Sequence, residues 1–135
     1  DARTLQVLRT INMSQKLAEA GYPGMSSAVR PMAISPSERY VYFQVSFFFG
    51  IVKYDLKQDR VADVLDLPLA DAEGLPRTEF LLDSAHHGLA IDPDGKKLCV
   101  AGTMSDSASI VDRQNFGDYT ILQKGTKPYW STTDV

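Results

Sequence analysis

Two adjacent histidines, His86 and His87, stand in "AHHGLAIDPDG", and they are the only histidines in the chain. Consecutive side chains on an extended segment point to opposite sides, so the pair is not arranged to hold one metal ion. No Cys-x-x-Cys or His-x-x-x-His spacing supplements them. From this chain alone no metal or other cofactor is expected. Asp83, Ser84 and His86 are the residue types of a nucleophilic triad, but a triad is made by geometry and sequence neighbours rarely supply it. The acidic residues Asp66, Asp71, Glu73, Glu79 and Asp83 lack the spacing of a calcium loop and read as a solvated segment. Cys99, the single cysteine, reads as a small buried strand residue.

The elements that must position these residues are written in a repeat. "MAISPSERYVYFQ" from Met32 matches "LAIDPDGKKLCVA" from Leu89, 57 positions on. The match holds without gaps to Asp55 and Asp112. A further copy, "GTKPYWSTTDV", places Ser131 opposite Leu89 at the shorter spacing of 42. At the other end Asp1 takes the place of Asp55 and Asp112, which makes "DARTLQVLRTI" the tail of an earlier unit. Repetition of this aspartate in every unit points to a turn-capping role.

Each full unit reads as four strands. In the first they are "PMAIS", "RYVYFQV", "GIVKYDL" and "RVADVLDL"; in the second "GLAI", "KKLCVAG", "SASIVD" and "DYTILQK". Alternating apolar positions and turn residues such as Asp92–Gly95 mark them. Apart from one helical turn in "SQKLAEAG", no segment demands a helix. Four antiparallel strands repeated at this spacing form the blade of a β-propeller, because one small sheet cannot bury both of its faces and stacking on neighbours does so.

The predicted fold is therefore all-β: two complete blades of four-stranded antiparallel sheet, with a partial blade at each end. Residues 1–13 are the outer strand of one blade, 31–66 a blade, 67–87 a long connector, 88–124 a blade and 128–135 the inner strand of the next. A closed ring takes about four to eight blades, so the partners expected first are the remaining blades of a longer chain or further copies of this one.

"HGLAIDPDGKKLCVAGTMSDSASIVD" resembles the YVTN-type, or YncE-like, propeller repeat. In that family an "HG-L-A-x-x-P-D-G-(basic)" run precedes a "YVAN"-like strand and an "(apolar)-V-D" strand. The first unit departs from it with "SPSER" for the turn, and "CVAGT" replaces the usual "YVANT". The resemblance implies a secreted, periplasmic or cell-surface protein, since related propellers occur in exported binding proteins, surface-layer proteins and cofactor-bearing domains of redox enzymes.

In such a blade the inter-blade connectors and the loops between second and third strands share one face. That face carries the long connectors Ser14–Arg30 and Leu67–His87, together with the loops Ser46–Gly50 and Thr103–Ala108. Loops of this length in a compact repeat are usually functional or disordered. Arg30, His87 and Tyr129 occupy equivalent positions just before successive inner strands, where they would converge on the channel mouth as a polar rim for an anionic or hydrogen-bonding ligand. His86 lies beside this set. Phe48, central in a run of three phenylalanines, either packs beneath a connector or lines the pocket.

The chain carries a net charge of −3, 44% apolar and 23% charged residues, and no basic cluster, so nucleic acid is not an expected partner. No apolar run reaches the roughly 20 residues of a membrane span. The residues favour a scaffold that binds a small molecule or protein over an enzyme. The alternative is the propeller domain of a redox or hydrolytic enzyme with its reactive centre at the channel mouth.

Overall fold

Strand pairing reproduces the sequence repeat. In the computed structural model, which describes residues 1, 3–67 and 88–124, the strands form two four-stranded antiparallel sheets, each in chain order. The first holds β1 (Val29–Ile34), β2 (Tyr40–Val45), β3 (Gly50–Asp55) and β4 (Arg60–Asp66). The second holds β5 (Gly88–Ile91), β6 (Lys97–Gly102), β7 (Ser107–Asp112) and β8 (Tyr119–Lys124). Register repeats as well: Ala33 faces Tyr42 as Ala90 faces Cys99, and Tyr40 faces Asp55 as Lys97 faces Asp112. The chain is thus part of a propeller with open sheets.

Alternation divides each sheet into two faces. Tyr42, Ile51 and Leu65 on the first sheet meet Leu89, Leu98, Val100 and Val111 on the second, forming one buried apolar cluster between the blades. The opposite face of the first sheet, with Phe43, Val45, Val52, Tyr54 and Val61, packs against Met13 and Leu17. Phe116 closes the inter-blade cluster at the turn side, its ring centroid 5.8 Å from that of Tyr42.

Met13 and Leu17 lie on α1 (Met13–Glu19), where the sequence suggests only one helical turn. Asn12 caps it by accepting a hydrogen bond from the Gln15 N–H, which satisfies one of the free donors of the first turn. A helix of this length is marginal alone, so burial of Met13 and Leu17 against the sheet holds it.

The turns repeat too. The Asp55 carboxylate accepts from the N–H groups of Lys57 and Gln58, and Asp112 does the same for Gln114 and Asn115. Asp1 accepts from Arg3 and Thr4 in the identical pattern. Four residues after Asp1 and Asp55, Leu5 and Asp59 have positive φ of 57° and 54°. Residues 6–12, expected as an outer strand, follow this hairpin-type turn but carry no strand pairing among the described residues.

Candidate functional site

The connector side of the blades is where β1 and β5 begin and where the β2–β3 and β6–β7 loops turn. Arg30 lies on that side, exposed, as the second residue of β1 and beside an irregularity in the β1–β2 register between Val29 and Met32. The Arg30–Pro31 peptide bond is cis. His86, His87 and Tyr129 lie outside the described residues, as do the connector from residue 68 and the inner strand expected at 128–135.

Phe48 is described, and its contacts are apolar. It packs at the edge of the cluster that contains Phe43, Val45 and Val52. Its ring lies over Gly50, where an added Cβ would come within 2.8 Å of the ring and 2.0 Å of the Leu65 carbonyl oxygen. Phe48 is thus partly buried against that cluster.

A second set of residues on this side was not singled out by motif reasoning. Gln44 continues the face of β2 that Tyr42 turns toward the second blade. Its side chain is wholly buried, and neither its amide nitrogen nor its amide oxygen has a hydrogen-bond partner. On the second blade Ser107 and Ser109 share a face with Val111, which is turned toward the first blade. Both serines are buried, as are Ser105 and Thr103 in the adjoining loop. The Ser105 and Ser107 hydroxyls are hydrogen-bonded to each other at 2.8 Å, and Ser105 also donates to the Gly102 carbonyl. The inter-blade interface is thus apolar toward the turns and polar toward the connectors.

The signal for this row lies in the repeat. Phe48, Gly50 and Val52 of the first blade align with Ser105, Ser107 and Ser109 of the second. Three positions that are apolar or without a side chain in one unit become hydroxyl-bearing in the next.

One other buried polar group stands out. Burial pushes the Tyr42 phenol up, and the Arg113 guanidinium facing it pulls in the opposite direction. Arg113 itself donates to the Gly95 carbonyl.

At the turn side, ion pairs tie the elements. Asp59 accepts from the Tyr54 hydroxyl at 2.7 Å and pairs with Lys16 at 2.9 Å and Arg9 at 3.0 Å. The Tyr54 hydroxyl, then Lys16, holds the Asp59 carboxyl below its usual value. A cavity of about 320 Å³ opens beside Arg9, Asn12, Lys16 and Asp59. Both cations there already pair with Asp59, so the arrangement fastens the N-terminal segment and α1 to the β3–β4 turn.

Among the described residues no three His, Cys, Asp or Glu side chains are grouped to hold a metal ion. Among them, too, no helix is long and apolar enough to cross a membrane.

No family model matches the chain, and no curated protein matches it. Solved structures do. It is similar to hydrazine synthase of Kuenenia stuttgartiensis, with a TM-score of 0.57 at 19% identity, over 73% of this chain and 24% of that one. It is similar to U3-55K, with a TM-score of 0.56 at 20% identity, over 78% of this chain and 28% of that one. The WD40 repeats of RRP9 give a TM-score of 0.54 at 18% identity, over 78% of this chain and 28% of that one. At these identities the likeness is one of fold, and the chain spans about a quarter of the length of each.

Proposed function

We propose that this chain is a segment of a YVTN/YncE-like β-propeller that acts as a binding scaffold, with its ligand on the connector face. The observation that carries the reading is Arg30, exposed at the head of an inner strand on the side where β1 and β5 begin and the β2–β3 and β6–β7 loops turn. In this reading Arg30, His87 and Tyr129 form the polar rim of the channel mouth, and His86 lies behind it. The ring is completed by further blades, because two blades leave apolar positions open at the inner edge and the propeller neighbours are about three times as long. Export to the periplasm, cell surface or exterior goes with the family resemblance and belongs to the same proposal.

The test is made in the complete ring with inorganic phosphate as an anionic probe. Single replacement of Arg30, His87 and Tyr129 by alanine should weaken phosphate binding measured by calorimetry. Three variants that fold and bind phosphate as the parent does would remove the rim. The second reading, an enzyme domain, is favoured by the likeness to hydrazine synthase. Haem or quinone absorption in the purified protein, or stoichiometric metal, would select it.

A further inference from the structure

We propose that α1 is a cap on a blade-docking face, and that the face beneath it takes the second blade of another copy of this chain when the helix lifts. The inference goes beyond the rim reading and shares with it only the premise that successive blades pack alike.

The 57-residue repeat identifies the face. In the second blade Leu89, Leu98, Val100 and Val111 are the positions buried against the first blade. Their counterparts in the first blade are Met32, Val41, Phe43 and Tyr54. Phe43 and Tyr54 are buried, with Val41 packed beside them, in the cluster that Met13 and Leu17 complete. The helix therefore stands where a neighbouring blade would stand, and the inner edge at Met32 and Ile34 is left open.

The same chain carries the complementary surface. The first blade presents Tyr42, Ile51 and Leu65 to the second, and the counterparts of these three are Cys99, Ala108 and Leu122. Cys99 and Ala108 are partly exposed and Leu122 is exposed, with no further sheet against them among the described residues. A capped receiving face and an open presenting face in one molecule fit each other in a second copy, head to tail, as the two blades already fit within one.

Charge favours the same occupant. Phe116 reaches over Tyr42 from the β7–β8 turn, and the Lys53 ammonium lies 5.3 Å from its ring and 4.9 Å from that of Tyr40. The repeat puts Asp59 at the place of Phe116 and Lys97 at that of Tyr40. Docking brings the Asp59 carboxylate of one copy toward the Lys97 ammonium of the other, in exchange for the Lys16 that it holds while α1 is down. Because the face must first be uncovered, the apparent affinity is reduced by the fraction of molecules in which α1 is lifted.

The test is sedimentation velocity on the full chain over a range of concentrations. The parent is expected to run as a monomer. Leu17→Ala loosens the cap and should lower the concentration at which copies associate by about ten-fold or more, the factor that corresponds to about 1.4 kcal/mol. Met13→Ala serves the same purpose if the Leu17 variant does not fold. The decisive sample is the double variant Leu17→Ala/Leu122→Glu mixed with the parent. The double variant offers only a receiving face and the parent only a presenting one, so a one-to-one dimer should form although neither associates alone. A cap variant that folds and stays monomeric, association of the double variant with itself, or no dimer in the mixture would overturn the proposal. The rim is read by phosphate binding, which involves none of these residues, so either result stands without the other.

Discussion

Met32 and Leu89 occupy the same place on the inner strands of successive blades, yet Met32 is 56% exposed and Leu89 is 8% exposed. Their surroundings account for the contrast. Leu89 lies against Tyr42, Ile51 and Leu65 of the preceding blade, whereas Met32 and Ile34 have no sheet before them among the described residues. α1 covers the outer part of that face and leaves the inner edge open. One repeat position thereby reports whether a neighbouring blade is present.

A direct prediction concerns this pair. Leu89→Ala removes a buried side chain from the inter-blade cluster and should cost about 2–5 kcal/mol. Met32→Ala, in the same chain, should stay within about 1 kcal/mol because the side chain is already half in water. Urea denaturation of the two variants checks the difference. Equal costs would mean that Met32 is covered in solution, as it would be by a further blade or a second copy.

Gly95 gives a second prediction. It lies in the turn before β6 with φ of 67°, and an added Cβ would come within 2.5 Å of the Pro36 ring in the preceding blade. Glu38, at the equivalent position of the first blade, adopts a φ of 54°. Backbone preference alone makes Gly95→Ala unfavourable by about 1–2 kcal/mol, and the contact with Pro36 adds to it. The expected result is a lower urea midpoint, partly restored by Pro36→Ala. A midpoint in Gly95→Ala that Pro36→Ala does not raise would show that the two turns do not touch.

The contrast between these positions shows what was legible in the sequence. Strand order, the 57-residue register and the capping role of Asp55 and Asp112 follow from local patterns, since alternation and turn chemistry act over a few residues. α1 was legible only as a single turn, because seven residues of modest propensity become a helix through the contacts of Met13 and Leu17 with a sheet that follows in the chain. Residues 6–12 carry no strand pairing among the described residues, and no pattern within the segment reveals that. Phe48 could be narrowed to core or pocket, and its packing against the Phe43 cluster and over Gly50 is a contact that no local pattern specifies. Gln44 was missed because a lone glutamine in a strand carries no motif. Only its burial opposite a row of serines makes it notable.

Acid stability should follow the turn aspartates. Hydrogen bonding to Lys97, then to the Asn115 and Gln114 N–H groups, holds the Asp112 carboxyl down at about 2. Arg39, with the Gln58 and Lys57 N–H groups, lowers that of the buried Asp55. A carboxylate whose pKa is lower folded than unfolded adds stability above its unfolded value near 3.9, and this is lost as pH falls through the folded value. The urea midpoint should therefore drop between about pH 4 and pH 2. Asp112→Asn should flatten that drop while lowering the midpoint at neutral pH. A midpoint independent of pH over this window would contradict the role given to the two turns.

The last prediction separates packing from charge at the N-terminal helix. α1 touches the first blade through Met13 and Leu17, which are one helical turn apart and buried, while Lys16 and Arg9 reach Asp59 at the turn side. The ion pairs are partly solvated, and such pairs contribute about 0–1 kcal/mol. Leu17 is wholly buried among Phe43, Val45, Val52 and Tyr54, and its truncation to alanine should cost about 2–5 kcal/mol. Leu17→Ala should thus release α1, read as faster amide exchange from Lys16 to Gly21 and greater exposure of the β2–β4 face to a hydrophobic dye. Lys16→Ala should leave exchange over the helix near the parent rate. If Lys16→Ala frees the helix and Leu17→Ala does not, the helix is held by the Asp59 network, and the face beneath it does not depend on apolar cover.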